Sequence, residues 1–168
     1  NTKNVNTKKL VFAALLIAIG TLTSNIIYIP VGVAKIFPVQ HMINVLGAVL
    51  LGPWYAVADA FVISLLRNFL GTGSLLAFPG SMTGALLAGL LYVKFKKLPF
   101  AVGGEIIGTG ILGALLAFPI AKFVLGQDAL AYAFIIPFSL STAGGSIIAY
   151  IILKAINYKK YRDRLKNQ

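Results

Sequence analysis

The chain contains no cysteine, one histidine, one tryptophan and only four acidic residues among its 168. Without cysteine it forms neither a disulfide nor a thiolate metal site, so redox chemistry says nothing about its compartment. Its single histidine, His41, has no cysteine or carboxylate near it in the sequence, which is a weak signal for metal binding. We therefore expect no bound metal and no cofactor.

Nucleotide-binding and catalytic motifs are also lacking. The Gly-Thr-Gly-Ser run at 71–74 does not continue into the Lys-Ser/Thr ending of a phosphate-binding loop, and no Walker sequence occurs elsewhere. There is no GxSxG elbow and no HExxH helix. The sequence therefore predicts that the chain is not an enzyme, and that any ATP it depends on is hydrolysed by a partner.

Apolar residues are abundant instead. The composition is 58% hydrophobic and 11% charged, with a mean hydropathy of +0.88, whereas globular proteins average about 25% charged residues. These values indicate an all-α integral membrane protein: a bundle of six transmembrane helices forming a single domain over residues 1–168, because six spans of about 20 residues fit this length. The predicted spans are 9–28, 39–52, 55–70, 75–93, 100–125 and 130–158, followed by a basic C-terminal tail at 159–168.

The net charge of +11 is unevenly distributed. Twelve of the fifteen basic residues lie at the start of the chain before the first apolar run, between the fourth and fifth spans, or at the end of the chain; they are Lys3, Lys8, Lys9, Lys94, Lys96, Lys97, Lys154, Lys159, Lys160, Arg162, Arg164 and Lys166. An even number of spans places all three clusters on one side, as the positive-inside rule requires of cytoplasmic segments. We therefore expect a bacterial-type plasma membrane protein with both termini in the cytoplasm and no nucleic-acid partner.

One apolar stretch, 29–51, cannot be an ordinary span because Pro30, Gly32 and Pro38 interrupt it. The helix that can follow Pro38 is about 13 residues, or roughly 20 Å, while the hydrocarbon core is about 30 Å thick. The remainder must be irregular backbone, which is tolerated at membrane depth only where protein covers it or where it lines a wet cavity. This pattern predicts an apolar lid over a cavity.

Polar side chains lie next to this predicted lid. Gln40, His41 and Asn44 share one face at the start of the short helix, by their spacing of three and four residues. Arg67 and Asn68 lie near the outer end of the third span. Arg67 can snorkel to the interface on its long stem, whereas Asn68 indicates either a cavity wall or an interhelical hydrogen bond.

Further polar residues lie in the last two spans. Glu105 is an ionisable group inside the fifth span, which costs on the order of 2.5 to 3.5 kcal/mol and usually means a cavity or a partner. It either faces the cavity together with Thr109, or is protonated or paired near the inner face. Ser139 and Thr142 share a face in the sixth span; their hydroxyls either line the pocket or bond back to their own helix.

Ala14 and Ala18 place two small residues one turn apart on the first span. Small residues at this spacing allow another helix to approach closely in lipid. The partner helix belongs either to the same bundle or to a separate protein, and spacing alone does not decide between the two.

Four stretches carry a resemblance to a known family: PVGVAKIFPVQH, GPWYAV, LLRNFLGTGSLLAFPGSMTGALLAGLLY and GEIIGTGILGALLA. With them the chain resembles the substrate-binding S components of energy-coupling factor (ECF) vitamin transporters, and is most similar to the ThiW family, assigned to the thiazole precursor of thiamin. The resemblance implies six helices, an outward-facing pocket under the loop between the first two, and three partners: a transmembrane coupling subunit and two cytoplasmic ATPases. Ala14 and Ala18 are similar to the AxxxA signature by which S components dock onto the coupling subunit.

The ligand implied by this resemblance is hydroxyethylthiazole, which is small, flat and uncharged. Such a ligand suits an apolar slot with two or three directed hydrogen bonds. We assign Gln40, His41 and Asn44 to the mouth, Asn68 and Thr72 to the facing wall, Ser139 and Thr142 to the floor, and Glu105 and Thr109 to a second tier. Two alternatives stay open: a self-sufficient transporter or channel that needs no ATPase, and an intramembrane enzyme using Glu105 or His41.

Overall fold

The structure is a computed structural model that describes residues 6–24, 26–31, 34–128, 130 and 132–166. Gly32 of the predicted lid lies outside the described residues. Seven helices account for most of the described chain, which agrees with the helical class predicted from the sequence. They are α1 (Thr7–Thr23), α2 (Pro38–Leu50), α3 (Pro53–Phe69), α4 (Ala77–Phe95), α5 (Leu98–Val124), α6 (Ile135–Ala155) and α7 (Tyr158–Lys166).

The helices begin where the sequence supplies caps and prolines. The Asn6 side chain accepts a hydrogen bond from the Lys9 amide at the start of α1, which satisfies an otherwise free donor of the first turn. Proline occupies the first turn of α2, α3 and α5, where its missing N–H costs nothing. Gly52 has a φ of 106° in the tight turn between α2 and α3, a conformation that favours glycine.

The segment between α1 and α2 contains a short hairpin. Strands β1 (Ile29–Val31) and β2 (Ala34–Ile36) are antiparallel, with Ile29 opposite Ile36. The expectation of irregular backbone in the lid is therefore wrong for these six residues, and the fold departs here from a purely helical one. Pairing between the strands satisfies backbone groups that would otherwise lack hydrogen-bond partners in an apolar setting.

Helix α2 lies at the centre of the bundle. It has 13 residues and is therefore about 20 Å long. Every residue of α2 except Met42 is buried, because α3, α4 and α6 all pack against it. A helix that is apolar and enclosed on all sides is a core helix, and its polar side chains can only face other protein groups or an internal cavity.

The outer surface of the bundle is apolar, whereas its interior is rich in small and polar residues. Large hydrophobic side chains such as Leu22, Phe123 and Ile136 are exposed, while the buried residues of α4 are mostly glycine, alanine and serine. This distribution is typical of helices that pack in lipid. Within the described residues, α5 and α6 are long and apolar enough to cross a membrane by length and composition; the count of six spans stays a prediction.

Helix α5 is not a regular α-helix throughout. It is α-helical over Leu98–Ile107 and Ala114–Pro119, and π-helical over Gly108–Gly113 and Ile120–Val124. Segments of π-helix are rare and frequently occur at functional sites. The first of them begins three residues after Glu105 and packs against both α4 and α6, so it shapes the wall of the site described next.

Candidate ligand-binding cavity

A cavity of about 1030 Å³ opens at the end of the bundle where α1, α3 and α5 end and α2, α4 and α6 begin. We call this the cavity end. The other end, where the side chain of Asn6 donates a 2.7 Å hydrogen bond to the Leu165 carbonyl, is the terminal end. Four of the nine residues predicted to bind ligand line the cavity, namely Gln40, His41, Thr72 and Thr109.

Arg67 is a buried cation in the cavity wall. The last turn of α3 holds it, and only 2% of its surface is exposed. One guanidinium nitrogen donates to the Gln40 side-chain oxygen and the other to the Thr72 carbonyl, 3.1 Å away. The guanidinium carbon lies 4.1 Å from the centre of the Phe37 ring, within the range of a cation–π interaction. The Nε–H has no hydrogen-bond partner among the described residues.

Arg67 therefore does not snorkel to an interface, which was the simplest sequence interpretation. Its side chain is turned inward and supports both the start of α2 and the loop after α3. A buried cation without hydrogen bonds is costly; here two guanidinium nitrogens are hydrogen-bonded, whereas the buried Nε has no partner among the described residues.

Gln40 and Asn44 extend this hydrogen-bonded network from α2 to α4. The Gln40 amide nitrogen donates to the Ser64 and Ser81 hydroxyls at 3.0 and 2.9 Å. The Asn44 amide nitrogen lies 2.9 Å from the Ser81 hydroxyl and 3.0 Å from Oε1 of Glu105. Asn44 is 1% exposed and does not line the cavity, so it belongs to the layer beneath it.

Glu105 is completely buried beneath the cavity floor and is paired with His41. Its Oε1 lies 2.8 Å from Nδ1 of His41 and 3.0 Å from the Thr109 hydroxyl, in addition to the Asn44 amide. The Thr109 hydroxyl also lies 3.0 Å from the Gly80 carbonyl, and Oε2 of Glu105 has no partner among the described residues. His41 donates from Nδ1, and its other ring nitrogen, Nε2, is the group that it can offer to a ligand. This tautomer is assigned from the hydrogen bonds.

Two glycines create the space for this pair. A Cβ on Gly84 of α4 would lie 2.6 Å from Oε2 of Glu105, and a Cβ on Gly145 of α6 would lie 2.8 Å from the His41 Cβ. Any side chain at either position would displace the pair. The glycines therefore allow α4 and α6 to approach the pair closely, while His41 still lines the cavity.

The network carries one positive and one negative charge. Arg67 contributes the cation and Glu105 the anion, and Gln40, Ser81 and Asn44 connect them by hydrogen bonds. With His41 neutral, the buried charges sum to zero. Such a site suits an uncharged guest better than an ion, because a buried net charge would need a counter-charge.

The structure places the remaining predicted residues outside the cavity lining. Asn68 donates to the backbone carbonyls of Ser64 and Ser74 and so stabilises the end of its own helix. Ser139 donates to the Gly110 carbonyl at 3.4 Å, between α6 and α5. Thr142 is fully buried, and its hydroxyl has no partner among the described residues.

Several lining residues were not predicted from the sequence. Besides Arg67, these include Phe37, Ser81 and Ser141, whose hydroxyl accepts a hydrogen bond from the Phe37 amide at 3.0 Å. The sequence contained a signal that could have identified Arg67 as a cavity residue, because a cation in an apolar span, one residue before Asn68, is unusual. Serine residues in membrane helices are common, and nothing in the sequence distinguished Ser81 or Ser141 from the others.

A protein family described as thiamine-precursor transporter protein (ThiW) matches residues 10–159 of this chain. The chain belongs to the ThiW family. This confirms the resemblance noted in the sequence, and the matched range contains every residue that lines the cavity. Searches of curated proteins and of solved structures found no match to the chain.

Membership of the ThiW family identifies a membrane protein that transports a thiamine precursor. This decides how the His41–Glu105 pair is interpreted. A histidine oriented by a carboxylate could act as a general base for a nucleophile, but no serine or threonine hydroxyl is hydrogen-bonded to His41 in the described part of the chain. In a transporter, the same pair is available to orient a ligand-binding group.

Proposed function

We propose that this ThiW protein is the substrate-binding S component of an ECF-type importer in a bacterial-type plasma membrane. Its ligand is hydroxyethylthiazole, bound in the cavity between Arg67 and His41. Both termini are cytoplasmic and the cavity faces outward. The orientation is supported by the basic residues of α7 and of the start of α1, which lie together at the terminal end, the side that the positive-inside rule assigns to the cytoplasm.

The observation that carries this proposal is the mixed chemistry of the cavity lining. Leu76, Phe134 and Phe138 supply apolar and aromatic surface, while Arg67 and His41 supply polar groups. The flat ring of the ligand packs against the apolar residues, and its nitrogen and hydroxyl bond to the Arg67 guanidinium and to Nε2 of His41. Small-molecule sites generally combine apolar walls with a few placed polar groups in this way.

The other predicted residues act on the ligand indirectly. Asn44, Glu105 and Thr109 fix the orientation of His41 through Oε1 of Glu105. Such supporting hydrogen bonds determine how precisely a binding group is held. Three predicted residues lie outside the cavity lining, namely Asn68, Ser139 and Thr142. We propose that they act on the surrounding helices and do not contact the ligand.

Ser24, Tyr28 and Phe37, from the connection between α1 and α2, lie at the cavity. Tyr28 and Phe37 line it, and their ring centres are 6.4 Å apart. A volume of about 1030 Å³ is at the upper end of the range for small-molecule sites, about 300–1,000 Å³, and exceeds what a single five-membered ring with a short side chain can fill. We expect this segment, with its hairpin, to close over the ligand when it binds.

The charge distribution predicts selectivity among thiamin-related compounds. Thiamin carries a permanently cationic thiazolium ring, whereas hydroxyethylthiazole is neutral. Because Arg67 and Glu105 balance each other, the network offers no free negative charge to a buried cation, and an uncompensated buried charge is costly, so we expect hydroxyethylthiazole to bind at least about 100-fold more tightly than thiamin. Isothermal titration calorimetry on the purified protein with hydroxyethylthiazole, thiamin and the pyrimidine precursor measures this directly. Tight binding of none of the three would remove the assignment.

Ala14 and Ala18 are available for docking onto a coupling subunit. Both are exposed on α1, next to the exposed Leu15 and Leu22, so they do not mediate packing within this bundle. We propose that they contact the transmembrane coupling subunit, which recruits the two ATPases.

Ala14→Trp should therefore abolish uptake by cells that contain the whole importer and leave hydroxyethylthiazole affinity within about twofold, since a bulky ring prevents close helix approach. The matched control is Leu116→Trp, at an exposed position on α5, which should leave uptake unchanged. Uptake into liposomes that contain only this protein would contradict the S-component assignment and favour a self-sufficient transporter.

A further inference from the structure

A second concavity, of about 530 Å³, lies at the terminal end, on the side away from the cavity. It is formed by α1, the last residue of α2 and helix α7. Its lining is mainly apolar, with Phe12, Leu50, Ile156 and Leu165, and it carries two cations, Lys8 and Arg164. We call it the basal groove.

The groove is built into the fold, because α7 is fixed against the bundle. The Asn6 side chain donates to the Leu165 carbonyl at 2.7 Å. The Arg162 guanidinium donates to the Tyr92 hydroxyl at 2.6 Å and lies over its ring, while Tyr158 packs edge-on against the same ring. Residues 158–166, which the sequence presents as a basic tail, therefore form one wall of a shaped site.

The two cations of the groove have no acidic partner within the described residues. The ion pairs found there are His41 with Glu105 and Arg162 with Asp163. Lys8 and Arg164 are exposed, so they are free to bind an anion. Two cations beside an apolar slot match a molecule with an anionic head and an apolar tail, and match neither a free ion nor a fully polar segment.

The groove also lies at the depth where a membrane ends. The apolar helix α6 ends at Ala155, and Ile156 of the groove follows directly. Exposed Trp54 and Tyr161 lie at the same end of the bundle, as amphipathic aromatic side chains do at membrane interfaces. A lipid headgroup lies at this level and its acyl chains extend toward the bilayer centre. An acidic protein segment would leave Phe12 and Leu50 uncovered.

We propose that the basal groove binds one anionic phospholipid. Its phosphate lies between Lys8 and Arg164, and one acyl chain lies along Phe12, Leu50 and Ile156. The lipid thereby connects α1 to α7. This inference requires only that the chain is a membrane protein and does not depend on the ligand of the cavity.

Native mass spectrometry of the detergent-purified protein, titrated with phosphatidylglycerol or phosphatidylcholine, tests the site. We expect one retained phosphatidylglycerol per chain and at least tenfold weaker retention of phosphatidylcholine. Lys8→Gln and Arg164→Gln should each weaken retention of phosphatidylglycerol about fivefold, and the double variant about 25-fold, from the usual contribution of a basic residue near an anionic lipid surface. The control, Lys159→Gln with Lys160→Gln, removes the same charge from exposed positions of α7 outside the groove and should change retention less than twofold.

The proposal would be overturned if the groove double variant and the Lys159/Lys160 control lost phosphatidylglycerol retention equally, or if the two lipids were retained equally. Either result would indicate a diffuse electrostatic effect. Displacement of phosphatidylglycerol by millimolar inorganic phosphate would show a simple anion site without an acyl-chain slot, and would also overturn it. Circular dichroism during thermal unfolding in detergent reports whether each variant is folded, independently of the ligand of the cavity. If the double variant does not fold, the single variants carry the test.

Discussion

Replacing Arg67 by alanine should raise the dissociation constant for hydroxyethylthiazole at least about 100-fold. The substitution removes the guanidinium that lies over Phe37 and is hydrogen-bonded to Gln40 and the Thr72 carbonyl, and that we assign to the ligand. Truncating one partner of a buried, hydrogen-bonded charge typically costs 2 to 5 kcal/mol, and about 2.7 kcal/mol corresponds to 100-fold in affinity. Calorimetric titration of the purified variant measures this dissociation constant.

Two further variants separate binding from folding. Arg67→Lys keeps the charge but loses the planar fork, so its affinity should lie between those of the alanine variant and the unchanged protein. Arg162→Ala removes a cation that interacts with Tyr92 at the terminal end, and its affinity should be unchanged within about twofold. An Arg67→Ala protein that binds with unchanged affinity would show that the ligand lies elsewhere.

Glu105→Ala should lower the free energy of unfolding by about 3 to 5 kcal/mol, the usual cost of removing one partner of a buried ion-paired network. It removes the acceptor that the Asn44 amide and the Thr109 hydroxyl share, and leaves Nδ1 of His41 without its partner. Circular dichroism during denaturant titration in detergent measures the change.

The control for this prediction is Asp59→Ala. Asp59 is also a buried carboxyl, but its Oδ2 has no hydrogen-bond partner within the described residues, so its removal should cost less than about 1 kcal/mol. A double-mutant cycle of Glu105→Ala with His41→Ala should give a coupling energy of about 2 kcal/mol. Equal destabilisation by the two carboxyl variants, or a coupling near zero, would show that the His41–Glu105 contact is not what stabilises this region.

The sequence predicted the elements whose signals are local. Prolines and a short apolar run predicted the 13-residue α2, and the spacing of Gln40, His41 and Asn44 predicted its polar face. The four resembling stretches gave the family. The hairpin was not predicted, because residues 29–36 contain both a proline and a glycine and show no alternation of polar and apolar residues, which is the usual signal for strands.

The sequence could not predict which distant residues meet. His41 and Glu105 are 64 residues apart, and only the packing of α2 against α5 brings them into contact. The direction of the Arg67 side chain could not be predicted either, because a long cationic side chain near a helix end can reach either an interface or a cavity. Its inward direction depends on Phe37 and Gln40, which belong to another helix and its preceding loop.

The burial of α2 determines which parts of the transporter can move during a binding cycle. Gln40 and His41 are attached to a helix enclosed by three others, so we expect their relative positions to change little when the proposed substrate binds. On the proposed function, release should then begin at the periphery, where Tyr28 and Phe37 lie at the cavity. Exchange of the guest should accordingly be slowed or accelerated by changes in the connection between α1 and α2, while the geometry of recognition stays constant.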